Sequence, residues 1–147
     1  MRNNLNEDDF HDNLIHGIVF YSEPGELSSD IALDIDYIYE WVKTDSNEIN
    51  FVISKALLKF HEVTDLKLSI DWGETNNSFF SGHASGLYIT NITKTKIHSP
   101  IANDYFLWCI YTNSHDSCIN FGASSFSLEI TGSQRTVNRQ FLLRNER

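Results

Sequence analysis

Between residues 31 and 41 the chain alternates with period two. Ile31, Leu33, Ile35, Tyr37, Tyr39 and Trp41 are separated by Ala32, Asp34, Asp36, Ile38 and Glu40. Successive side chains of an extended strand point to opposite faces, whereas a helix would spread both sets around its circumference. The segment is therefore expected to be one long strand, with its apolar side turned inward and Asp34, Asp36 and Glu40 turned outward. Such a strand cannot cover its apolar side alone; it needs neighbours in a sheet and a second layer.

The rest of the chain supplies neighbours. Leu14–Tyr21 is a β-branched and aromatic run, followed by the turn signal Glu23-Pro24-Gly25. Ile49, Phe51 and Ile53 alternate after the turn Asp45-Ser46-Asn47. Ala56–Val63 is assigned to a separate strand, with one helical turn as the alternative, because Ala56, Leu57, Leu58 and Lys59 are good helix formers. Leu66, Leu68, Ile70 and Trp72 alternate again, and Gly73–Gly86 reads as a loop. Leu87–Thr93, extended by Lys94–His98, is the next strand, which Ser99-Pro100 breaks. Tyr105–Thr112 and Ser117–Ala123 pair as a hairpin in which Ile110 faces Ile119, Trp108 faces Phe121 and Phe106 faces Ala123. That register makes Cys109 and Cys118 diagonal neighbours on the other face, about 7–8 Å apart and too far for a relaxed disulfide, so both are expected as free thiols. Phe126, Leu128 and Ile130 form the last strand, and the mixed-charge tail Gln134–Arg147 has room for one short helix.

No strand–helix–strand alternation appears, so a parallel sheet is not expected. The expectation is an all-β fold: a single antiparallel β-sandwich or strongly curved sheet of about eight or nine strands, with at most one short helix. It covers residues 1–147 as one domain, with 1–10 and 134–147 frayed.

Composition narrows the function classes. The 147 residues are 41% hydrophobic and 21% charged, which suits a globular domain. No run of about 18 apolar residues could span a bilayer as a helix. The first residues lack the basic-then-apolar pattern of a signal peptide, so a cytoplasmic location is expected. The net charge of −9 argues against nucleic-acid binding. The acidity is uneven: residues 1–74 hold 16 Asp/Glu against 5 Lys/Arg, and residues 75–147 hold 4 against 6. A self-repelling soluble surface explains this, and so does an acidic face that steers a basic partner.

Nucleotide-binding glycine motifs, HExxH and GxSxG are absent. Phe10-His11-Asp12 with His16 suggests a general base, or a histidine held by structural hydrogen bonds. Asp34, Asp36 and Glu40 form a row that reads as a solvated stripe, a partner surface or, with Asp71 or Asp65, part of a cation site. Tyr37 and Tyr39 are expected to be partly exposed where the strand outgrows the core, and the other aromatics suit a core. The isolated His83, His98 and His115 receive no role.

Phe10-His11-Asp12 followed by Ile15-His16-Gly17, the run Leu33-Asp34-Ile35-Asp36-Tyr37-Ile38 with Trp41, Val63–Lys67, and Ile119-Asn120-Phe121-Gly122-Ala123 occur in a familiar order. Together they resemble a family of small bacterial proteins with an FHD start and an LDIDYI–W strand. The resemblance spans residues 10–130; it implies the fold, some members of such families resemble immunity proteins of toxin systems, and it carries over no mechanism. The expected function is a non-catalytic, acidic binding protein that inhibits a toxin by electrostatic complementarity. Its partner would be a basic protein, met by Asp34, Asp36, Glu40, Tyr37 and Tyr39, with no cofactor, no catalytic residue and no metal. The alternatives are a metal-dependent hydrolase using His11, Asp34, Asp36 and Asp71, and a module that self-assembles through its sheet edge.

Overall fold

The structure is a computed structural model that describes residues 5–22, 24, 29–71, 86–114 and 116–147. Nine strands follow in chain order: β1 (Leu14–Ser22), β2 (Ser29–Lys43), β3 (Ile49–His61), β4 (Thr64–Ser69), β5 (Leu87–Ile97), β6 (Tyr105–Thr112), β7 (Cys118–Ala123), β8 (Ser125–Ile130) and β9 (Arg135–Val137). They form one antiparallel sheet in the order β4-β7-β6-β5-β1-β2-β3-β8, with β9 also on β3, and the sheet does not close into a barrel. Among the described residues the helical elements are two short 3-10 turns, Glu7–Phe10 and Arg144–Glu146. The all-β expectation holds.

Of the two expected forms the structure has the single sheet, with its two halves packed against each other. β1 and β5 share two residue pairs, Leu14↔Tyr88 and Ile15↔Leu87, and at this narrow seam the sheet folds back on itself. Phe60 of β3 packs at 5.2 Å from Trp108 and 4.7 Å from Phe121, ring to ring across the two halves. Leu33, Ile35, Leu58, Ile110 and Ile119 are fully buried in the same cluster. The β6–β7 register is the expected one: Ile110↔Ile119, Trp108↔Phe121 and Phe106↔Ala123. Cys109 and Cys118 are free thiols.

Three expectations change. Residues 49–61 are one strand, not two, because β2 and β8 pair along it and override the helix preference of Ala56–Lys59. Phe51, Val52, Ile53 and Ser54 are all buried, so alternation fails where both faces of β3 are covered. Residues expected to fray pack into the fold where they are described: Phe10 is 1% exposed against Tyr37 and Phe126, and Leu142 is 2% exposed on the other side of the sheet, while residues 1–4 lie outside the described residues. β4 ends at Ser69; Trp72, His83, His115 and most of the expected 73–86 loop lie outside the described residues.

Candidate functional site

A β-bulge decides the geometry of the long strand. β2 pairs Ile38 with Ile53 and Glu40 with Val52, so Tyr39 is an extra residue. An extra residue reverses the parity of everything beyond it. Asp34, Asp36 and Ile38 stay on the outer face, while Tyr37, Tyr39 and Glu40 line a groove on the inner side. Trp41 turns outward to Phe51, ring centroids 5.0 Å apart, and is 53% exposed. The expected single row of Asp34, Asp36 and Glu40 is thereby split between two faces.

The outer face is covered by the segment 138–147, which runs across it as a strap. Leu142 joins Ile38, Phe51 and Ile53 in a second apolar cluster. Asp36 is 0% exposed, contrary to its expected place on an outward surface. Its Oδ2 accepts the Leu142 N–H at 2.8 Å and lies 2.7 Å from His16 Nε2; its Oδ1 accepts Arg147 Nε at 2.9 Å. Asp34 takes the two other guanidinium nitrogens of Arg147 at 2.6 and 3.3 Å. A second bulge, at His16 between Ile15 and Gly17 of β1, brings this imidazole to Asp36. Burial pushes the Asp36 carboxyl up, but the hydrogen bonds from His16, Leu142 and Arg147 outweigh it and hold it below the usual carboxylate range. Within the strap, Arg139 pairs with Glu146, whose carboxylate also accepts the Leu143 N–H at 2.7 Å.

Phe10 plugs the core, and His11 Nδ1 lies 3.0 Å from Asp12 Oδ2 in a turn where Asp12 has φ 65°. Asn13, fully buried, accepts the Ile38 N–H at 3.0 Å next to the β2 bulge. Of the four residues of the hydrolase alternative, His11 lies against Asp12, Asp34 and Asp36 share Arg147, and the Asp71 backbone bonds Ser114 and Ser117 beyond β4. Among the described residues no group of three His, Cys, Asp or Glu side chains converges as a metal site.

The groove, about 600 Å³, is lined by Leu5, Tyr37, Tyr39, Glu40, Leu128, Ile130 and Gln134. Tyr37 is 3% exposed and forms its floor, which corrects the expectation of an exposed Tyr37. Tyr39 stacks edge-on against Tyr37 at 5.0 Å and is half-buried. Glu40 is exposed at the rim, and no hydrogen bond or ion pair holds it among the described residues.

Arg147 is the residue that sequence reasoning passes over. A signal for it exists: four of the five arginines lie in residues 134–147, opposite in sign to the acidic first half. Comparison with family models, with curated proteins and with solved structures gives no significant match.

Proposed function

We propose that the chain is an acidic binding protein that meets a basic protein partner through the Tyr39–Glu40 groove, in the manner of an immunity or inhibitor protein that shields a toxin. The observation that carries this reading is the groove itself. Tyr39 offers aromatic area over the buried Tyr37, Leu128 and Ile130 offer apolar walls, and Glu40 sets at the rim a negative charge with no partner among the described residues. An apolar side chain next to an arginine or lysine fits that combination, since aromatic anchors give affinity and charge gives orientation. The net charge of −9 adds long-range attraction for a basic partner. Asp34 and Asp36 have no part in docking here, because Arg147 of the same chain already occupies their oxygens and Asp36 is fully buried.

The test is an NMR titration of the isotope-labelled protein with a short peptide of alternating arginine and leucine, at low and high salt. Shift changes should centre on Tyr39, Glu40, Leu128 and Ile130, shrink in high salt, and vanish in Glu40→Lys. Changes spread over the whole acidic surface, or undiminished in Glu40→Lys, would reject the groove as the docking site.

A further inference from the structure

At the opposite end of β2 from the groove, three side chains from three adjacent strands form a hydrogen-bonded chain. Asp30 lies at the start of β2, His61 ends β3, and Ser127 lies in β8. Asp30 Oδ2 is 2.9 Å from His61 Nδ1, and His61 Nε2 is 2.8 Å from Ser127 Oγ. The second Asp30 oxygen accepts the Glu62 N–H at 3.1 Å, which fixes the carboxylate. A carboxylate on Nδ1 favours the tautomer with its proton there, leaving the Nε2 lone pair to accept the serine proton. The roles of orienting acid, base and nucleophile are thus assigned by connectivity, in a chain whose three members are 31 and 66 residues apart in sequence.

Two further features support chemistry at this place. Ser127 is exposed, and the side chains of His61 and Asp30 are about one-third exposed, so a reagent can reach the hydroxyl. Lys59 is the Cα partner of Ser127 across the β3–β8 pair, which sets the two side chains next to each other on one face. Its ammonium pairs with Glu129 and lies 5.7 Å over the Tyr21 ring, so a cationic side chain borders the site.

We propose that Ser127 is a nucleophilic serine, activated by His61 and oriented through Asp30, that takes acyl groups from small activated esters. The open sheet face around it suits a small acyl group rather than a long chain held in a cleft. In the step, Ser127 Oγ forms a bond to the acyl carbon and its proton passes to His61 Nε2. The ester C–O bond breaks, and His61 returns the proton to the leaving oxygen. Water then bonds to the acyl carbon as its proton passes to His61, the bond from that carbon to Ser127 Oγ breaks, the carboxylic acid leaves and His61 returns the proton to Oγ. The site shares no residue with the groove, so it stands or falls independently of the docking proposal.

The experiment treats the intact protein with a fluorophosphonate, whose P–F bond is replaced by a P–O bond to the serine, and locates the adduct by peptide mass spectrometry. The expected result is one adduct, on Ser127, absent in Ser127→Ala. Its rate of formation should fall at least about 100-fold in His61→Gln, the usual effect of losing a general base. Release of 4-nitrophenol from 4-nitrophenyl acetate should be lost in the same variants. Ser127→Ala removes an exposed hydroxyl and keeps the fold, which circular dichroism verifies. No adduct on Ser127, or equal labelling rates in the native protein and His61→Gln, would overturn the proposal and leave the three groups as a structural hydrogen-bond chain.

Discussion

Replacing Asp36 by Asn tests the central electrostatic feature of the fold. Asp36 is fully buried and its two oxygens face His16 Nε2, the Leu142 N–H and Arg147 Nε. Asn has nearly the same shape but no charge, and its amide nitrogen must face one of these donors. Removing one partner of a buried ion pair costs about 3–5 kcal/mol, because the other charge is left without compensation. Here Asp34 keeps two hydrogen bonds to Arg147. The lower end, about 3 kcal/mol, is therefore expected. At roughly 2–4 °C per kcal/mol for a chain of this size, Tm should fall by about 6–12 °C. Urea denaturation should show a lower midpoint at an unchanged slope. In a double-mutant cycle with Arg147→Gln, the two losses should be coupled by about 1–3 kcal/mol. A loss below about 0.5 kcal/mol for Asp36→Asn, or strict additivity with Arg147→Gln, would refute the view that this carboxylate clamps the strap.

The same clamp gives a pH dependence. The Asp36 carboxyl is depressed in the folded state, so its contribution is complete above the unfolded carboxylate value, about 3.9, and is lost as pH falls through the lower folded value. Thermal melts should be flat in this respect at neutral pH and drop at acid pH, and the drop should be smaller in Asp36→Asn; identical profiles would remove Asp36 from the acid transition. At Gly122 of β7 an added Cβ would come within 2.7 Å of Thr64 Oγ1 and 2.8 Å of Tyr105 Cε1. Those two side chains hydrogen-bond each other at 2.9 Å, and Tyr105 is 1% exposed, so neither gives way freely. Gly122→Ala should cost about 1–3 kcal/mol by chemical denaturation, and an unchanged midpoint would show that the β4–β7 contact relaxes without penalty.

How far the chain could be read from its residues follows from the range of the forces involved. Period-two alternation depends only on nearest neighbours, so the β6–β7 register and the extended state of β2 were legible locally. Alternation stops being informative where a second layer covers both faces, and Phe51–Ser54 show this in β3. The bulge at Tyr39 left no local mark; Asn13, from a distant turn, accepts the Ile38 N–H beside it. One extra residue was enough to move Glu40 to the groove and Trp41 to the outside.

The acidic row shows the same division. The sequence by itself determined that β2 would be extended, that Asp34 and Asp36 would share a face, and that four arginines would collect in the tail. Only the tertiary structure decided that those opposite charges meet within one chain, Arg147 closing over Asp34 and Asp36 from 113 and 111 residues away. The physical reason is that a charge pattern fixes which groups attract, while the path of the backbone fixes which of them come within a few ångströms, where the attraction is strong enough to offset burial.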